Sequence, residues 1–171
     1  DGAERYTRLN ANKIDLNRDA VEETQPEMTT LKSVYTAFKP DLCLNLHGQR
    51  TIFSAVNSSK PAALSFLAPA ANEAREVTPT RLIAMQIIAQ MVKEQAVSDQ
   101  WGIGRYDDTF NINCTGDYFT AQGTPTILFE AGHFPNDYKR LKTREFVFQA
   151  LISCLNSVLS NQYQHFTAED Y

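Results

Sequence analysis

One stretch of the chain decides its fold: Leu42-Cys43-Leu44-Asn45-Leu46-His47-Gly48. An apolar run of this length, bounded by a glycine, is typical of a strand buried inside a sheet. The strand ends of an open α/β sheet are where such folds present their chemistry. His47 stands at such an end, where an imidazole serves either as a neutral hydrogen-bonding group or as a metal ligand.

A second apolar run, residues 124–132, ends in the same way but with a carboxylate, Glu130. Glutamate is rarely fully buried without a partner. A glutamate that closes an Ile-Leu-Phe strand is therefore either turned into water or part of a site.

Three segments have helical periodicity. Thr24-Gln25-Pro26-Glu27 predicts a capping box, and the helix that follows should stop before Pro40. Thr78-Pro79 opens a second helix, whose wide apolar stripe predicts deep burial. A third helix, from about Thr143 to Ser160, should lie against the sheet. The mixture of strands and helices predicts an α/β sandwich with helices on both faces.

The segments between these elements are less regular. Thr51 to Val56 and Ala62 to Leu67 predict shorter strands. Gly102 to Gly116 is polar and rich in Gly and Asp, which predicts either a substrate-side loop or an ordinary connection. The polar tail around His165 is predicted to fray.

Composition excludes several classes of function. Sixteen basic and twenty acidic residues give a formal charge of -4, which argues against a nucleic-acid or anionic-membrane surface. No apolar run approaches the roughly 20 residues of a membrane span. The three cysteines are odd in number and widely spaced, which predicts thiols rather than a disulfide framework.

The run Asp15-Leu16-Asn17-Arg18 has the residue types that a carboxylate site needs. Arginine offers a flat fork of donors that matches the two oxygens of a carboxylate, and asparagine adds a neutral donor beside it. On these residues alone, a solvated loop is the alternative.

Taken together, the motifs follow the order of a known family. That order here is Asp-Gly at positions 1 and 2, Arg8, Asp15-Leu16-Asn17-Arg18, His47 and Phe129-Glu130. The chain resembles the zinc carboxypeptidases of the carboxypeptidase A type. Their sequences have Asn-Pro-Asp-Gly, an Arg, Asp-Leu-Asn-Arg, a strand-end His and, much later, a Glu at the end of a core strand. The resemblance covers essentially the whole chain and implies a mixed sheet.

The resemblance implies a catalytic role for three residues. His47 would be the third zinc ligand, and Glu130 would be the general base that takes the proton from zinc-bound water. Arg8 would face the oxyanion of the tetrahedral intermediate. These residue types suit the chemistry, because zinc lowers the pKa of its water and a cation stabilises charge that develops in the transition state.

Three more residues would bind substrate. By the resemblance, Asn17 and Arg18 bind the free C-terminal carboxylate of a peptide, and Tyr106 is the family's mobile tyrosine. The segment from Thr115 to Phe119 would line the pocket for the terminal side chain, where Asp117 either attracts a basic group or binds its own loop. His133 is expected near the mouth of the site.

One departure from the family concerns the metal. The family's first two zinc ligands form a His-x-x-Glu motif upstream of the Asp-Gly element, and the 171 residues contain no such motif. A catalytic zinc usually has three protein ligands. We therefore expect residues 1–171 to be the C-terminal portion, roughly two thirds, of one catalytic domain. The missing N-terminal part would supply the other two ligands, and the portion alone should be inactive.

Two other functions stay open. N-acyl amino acid deacylases share the fold and the Asp-Leu-Asn-Arg motif, and the Glu-Ala-Gly at 130–132, where digestive carboxypeptidases have Glu-Leu-Arg, fits that branch. A zinc-free pseudoenzyme would bind peptide carboxylates through Arg8, Asn17 and Arg18 and would have no need of Glu130 as a base.

Overall fold

The structure is a computed structural model that describes residues 2–49, 51–54, 58–95 and 100–171. Its strands are β1 (Cys43–Gly48), β2 (Ala62–Leu67), β3 (Gly102–Arg105) and β4 (Thr126–Ala131). Its α-helices are α1 (Gly2–Arg5), α2 (Pro26–Phe38), α3 (Pro79–Glu94), α4 (Thr115–Ala121) and α5 (Leu141–Ser160). Short 3-10 turns lie at Leu16–Arg18, Gln162–His165 and Ala168–Asp170.

The four strands form one mixed sheet in the order β1-β4-β2-β3. β4 runs parallel to β1 and antiparallel to β2, while β3 runs parallel to β2. The predicted mixed-sheet α/β fold is therefore confirmed.

The two faces of the sheet have different roles. Ile127 and Phe129 of β4 point to the face that α3 and α5 cover, and Phe129 meets Phe66 edge to face with ring centroids 5.1 Å apart. Leu128 and Glu130 alternate with them and point to the opposite face, which α4 borders. The buried core comes from β2, β4, α3 and α5: Leu64, Phe66, Ala68, Ala84, Met85, Ile87, Ile88, Met91, Ile127, Phe129, Ala150 and Cys154.

The predicted helices are present, with one error at a helix start. Thr78 caps α3, since its Oγ1 accepts a hydrogen bond from the backbone N–H of Arg81 at 3.2 Å. The capping box at Thr24 is wrong, because Gln25 is the residue that precedes α2. Thr24 donates its N–H and its hydroxyl to Asp19 Oδ1, at 2.9 and 2.7 Å, and so belongs to the preceding turn.

The shorter segments differ more from prediction. Of the strand predicted at Thr51 to Val56, the described residues form a single bridge, Ser54 with Pro61, and residues 55 and 56 lie outside the described residues. The loop predicted from Gly102 is wrong at its start, because residues 102–105 form β3. The C-terminal tail does not fray: the Tyr171 hydroxyl accepts a hydrogen bond from the backbone N–H of Ala68 at 3.0 Å.

All three cysteines are free thiols, as predicted, with Cys154 buried in the core. In the described part of the chain, no helix combines the length and the apolar character that a membrane crossing requires.

Candidate active site

One cavity, on the α4 side of the sheet, has a volume of about 350 Å³. All six residues selected by the family resemblance line it: Arg8, Asn17, Arg18, His47, Tyr106 and Glu130. These residues come from five separate parts of the chain. The structure thus brings the predicted site residues together, while their individual roles stay predictions.

Strand pairing places His47 beside Glu130. The two residues are partners in the parallel register of β1 and β4, so their side chains leave the sheet on the same face. His47 Nδ1 lies 3.8 Å from Glu130 Oε1.

Burial shifts the pKa of both the Glu130 carboxyl and the His47 imidazole, and so determines their charge. Glu130 is 6% exposed, and burial raises the pKa of its carboxyl to about 7, although the positive charge of Arg8 opposes the shift. Burial also lowers the pKa of the His47 imidazole, and Arg8 and Arg18 lower it further. The imidazole is therefore neutral at pH 7, and the carboxyl titrates in the range that suits a general base.

Asn45 is a cavity residue that the sequence analysis missed. It lies two residues before His47 on the same face of β1, and its Oδ1 is 3.1 Å from His47 Nε2. Because Oδ1 can only accept a hydrogen bond, Nε2 of the neutral imidazole carries the proton. Nδ1, the nitrogen that faces Glu130, then has the free lone pair.

Asp15 organises the run that follows it. One oxygen, Oδ2, lies 2.9 Å from Arg8 Nε, and the other accepts a hydrogen bond from the backbone N–H of Asn17 at 3.1 Å. The second bond caps the short 3-10 turn Leu16–Arg18. This local geometry explains why an Asp at this position holds the Asn-Arg pair at the cavity.

The start of α4 holds the same pair from the other side. The backbone N–H of Thr115 donates to Asn17 Oδ1 at 3.0 Å, which leaves the Asn17 amide nitrogen as the donor for a ligand. Arg18 Nη1 lies 3.0 Å from the Sγ atom of Cys114, a contact that the motifs did not predict.

Tyr106 lies just after β3 and is 39% exposed at the cavity. Its backbone N–H donates to the carbonyl oxygen of Phe66 at 2.9 Å. Asp108, two residues on, pairs with the buried Arg81, whose Nη2 lies 2.6 Å from Asp108 Oδ2. This ion pair ties the loop that carries Tyr106 to α3.

Asp117 and His133 are both expected near the site from the sequence, but only Asp117 lines this cavity. Asp117 lines the cavity at 8% exposure, and burial raises its pKa to about 6. His133 does not line this cavity. Its Nε2 lies 3.1 Å from the carbonyl oxygen of Gln49, and it lines a separate cavity of about 740 Å³, because the chain turns away after β4.

The metal-binding side chains at this cavity decide whether it fits a zinc ion. His47 offers Nδ1 as one ligand, but the described residues contain no group of three or more His, Cys, Asp and Glu side chains that could hold a metal. Three protein ligands are the usual number at a catalytic zinc. The described residues by themselves therefore do not fit a catalytic zinc.

Comparison with known proteins identifies the fold of this chain. The sequence matches no protein-family model and no curated protein. The structure is similar to that of a metallo-carboxypeptidase from Burkholderia cenocepacia, with a TM-score of 0.61 and 14% identity over 91% of this chain and 41% of that chain. It is also similar to the tripeptide-bound cell shape determinant Csd4 protein from Helicobacter pylori, with a TM-score of 0.53 and 16% identity over 90% of this chain and 40% of that chain. The chain thus spans two fifths of the length of these structures, and over that length it has a metallo-carboxypeptidase-like fold.

Proposed function

We propose that this chain carries part of the active site of a zinc metallocarboxypeptidase, which hydrolyses the C-terminal peptide bond of a peptide substrate. The observation that carries the proposal is the cavity that all six residues selected by the resemblance line together. Motif order along a sequence does not by itself require convergence in space. The likeness in fold to a metallo-carboxypeptidase supports the same function.

The substrate end of the cavity suits a free carboxylate. Arg18 presents a guanidinium fork, and Asn17 presents its amide nitrogen beside that fork, because its oxygen is already bound by Thr115. Tyr106 lies at the same cavity and completes the proposed substrate side.

The catalytic end has a base and a cation. Glu130, whose pKa is about 7, accepts the proton of the attacking water and then delivers it to the leaving amine. Arg8 lies at the same cavity and stabilises the developing oxyanion.

A zinc ion held by His47 and by two ligands outside the described residues would lower the pKa of the attacking water. The 171 residues are then the C-terminal portion of one catalytic domain, and the remainder of that domain is needed for turnover.

Substrate binding tests the proposal on the chain itself. A short peptide with a free C-terminus should bind at least roughly ten times more tightly than its amide, because the amide lacks the charge that pairs with Arg18. Arg18→Lys should remove most of this preference, since a point charge does not replace a bidentate fork. Calorimetric titration measures both. Equal affinity for the two peptides by the unaltered protein would overturn the proposal.

Turnover tests the role of Glu130 in the protein joined to its upstream segment and loaded with zinc. Glu130→Gln should lower kcat by a factor on the order of 10² or more while substrate still binds. Glu145→Gln, on the exposed surface of α5, is the matched control and should leave kcat unchanged. Near-normal turnover by the Glu130 variant would show that this carboxylate is not the base.

The same turnover assay distinguishes a metallocarboxypeptidase from an N-acyl amino acid deacylase. N-acyl amino acids also have a free carboxylate beside the scissile amide, so both substrates would reach Arg18. Cleavage of peptides in preference to acetylated amino acids supports the peptidase, and the reverse preference supports the deacylase.

A further inference from the structure

The Arg18 side chain is held in place by an unusual partner. Its Nη1 donates to the carbonyl oxygen of Asn17 at 2.6 Å and to the Sγ atom of Cys114 at 3.0 Å. Both contacts use the same nitrogen. In the described part of the chain, Nε and Nη2 have no protein acceptor and can donate to a ligand.

The Cys114 thiol has a second neighbour, Asp117. A thiol has one proton to donate and a sulfur atom that accepts weakly, so it can link a donor to an acceptor. Asp117, 8% exposed in the first turn of α4, interacts with the Cys114 thiol, and this interaction lowers the pKa of its carboxyl. Asp117, Cys114 and Arg18 thus form a row in the wall of the cavity.

This row affects ligand affinity because an arginine side chain loses conformational entropy when a ligand binds to it. A free arginine side chain carries considerable rotamer entropy. A guanidinium that is already anchored through one nitrogen has less of this entropy to lose when a carboxylate binds. The anchor therefore increases affinity, because less entropy is lost when the ligand binds.

We propose that Cys114 is a positioning residue, whose thiol accepts a hydrogen bond from Arg18 and presents the guanidinium to a substrate carboxylate. The inference rests on the proposed function, since it assumes that Arg18 binds a carboxylate. It adds a residue that the family motifs do not include.

Two variants test the anchor. Cys114→Ala removes the thiol, and Cys114→Val removes it while filling the same space. Each should weaken binding of the free-carboxylate peptide by roughly 5-fold, the effect of one hydrogen bond. Cys114→Ser keeps a donor and an acceptor and should stay within about 2-fold of the unaltered protein. Cys43→Ala, at a half-buried thiol that does not line the cavity, is the matched control and should have no effect.

If Cys114 served only to stabilise the fold, the Cys114 variants would give a different pattern of peptide affinities. If Cys114 acts through Arg18, its substitution leaves the affinity for the amidated peptide unchanged and has no further effect in an Arg18→Ala background. Equal weakening for the two peptides, or a persistent effect without Arg18, would overturn the inference. So would normal binding by both the Ala and the Val variants.

NMR relaxation of the Arg18 Nε–H group tests the anchor without any ligand. Its order parameter should fall in Cys114→Ala and Cys114→Val and stay unchanged in Cys43→Ala. An unchanged value in the Cys114 variants would contradict the inference. Failure of the unaltered protein to distinguish the two peptides would instead overturn the proposed function, and the relaxation measurement alone would then decide whether Cys114 holds Arg18.

Discussion

Gly132 follows β4 at a place where the backbone leaves no room for a side chain. A Cβ atom there would overlap the carbonyl oxygen of Ala62 and lie 3.0 Å from Gln49 Oε1. We predict that Gly132→Ala forces β2 away from β4, two residues from Glu130, and lowers the free energy of unfolding by about 2 kcal/mol. Urea denaturation measures the change.

Gly48, at the end of β1, provides the control. A Cβ atom at this position has no neighbour within 4 Å. Gly48→Ala should therefore change the free energy of unfolding by less than about 0.5 kcal/mol. Equal urea midpoints for the two variants would contradict the steric explanation.

Single residues also mark the limit of what the sequence reveals about the site. The motif order, together with the family's tyrosine, selected six residues that share one cavity. Asn45 could have been found from the two-residue period of β1, which places it on the face of His47. Cys114 has no such signal, because its contact with Arg18 depends on how α4 packs against a turn distant in sequence.

The loop that carries Tyr106 is tied to α3 by the ion pair of Asp108 with Arg81. Arg81 of α3 is 3% exposed, and besides pairing with Asp108 it donates to the carbonyl oxygens of Ala68 and Arg75, at 3.1 and 2.6 Å. We predict that Asp108→Asn lowers the free energy of unfolding by about 2 kcal/mol, because it leaves a buried guanidinium without its counter-charge.

The neighbouring aspartate is the matched control for this measurement. Asp107 is exposed and accepts hydrogen bonds from the N–H and hydroxyl of Thr109, which an asparagine oxygen can also accept. Asp107→Asn should therefore cost less than about 0.5 kcal/mol in urea denaturation. A similar loss for both variants would show that the pair with Arg81 does not hold the loop.

Elements differ in how well the sequence predicts them. β4 and α3 carry their own signals, a long apolar run in one and a Thr-Pro start with a periodic stripe in the other. β3 has the sequence Gly-Ile-Gly-Arg, which lacks the apolar alternation of a strand, and its extended form comes from pairing with β2. Tertiary contacts therefore decide an element whose local preference is weak.

In the whole molecule, β1 is at one edge of the sheet. Among the described residues it pairs with β4 alone, and Leu46 on this edge is 58% exposed. Unpaired edges with apolar side chains favour association with another chain. We predict that the 171-residue protein self-associates as its concentration rises and that Leu46→Lys returns it to a monomer in sedimentation velocity.

A substitution elsewhere tests whether the edge is responsible. Leu159, near the end of α5, is 81% exposed and lies on a different element. Leu159→Lys adds the same charge and should leave the association unchanged. Association that disappears with this variant but persists with Leu46→Lys would place the contact on α5, and a protein that stays monomeric throughout would contradict the prediction.

The register of His47 opposite Glu130 also has a consequence for the order of folding. These partners are separated in sequence by β2, α3, β3 and α4, so their pairing closes one of the longest loops in the chain. A slip of one residue would turn one of the two side chains to the far face of the sheet. Collapse of neighbouring segments alone therefore cannot produce a partly working site. Binding of a carboxylate next to this pair would show that β1 and β4, which are farthest apart in sequence and slowest to pair, have joined in the correct register.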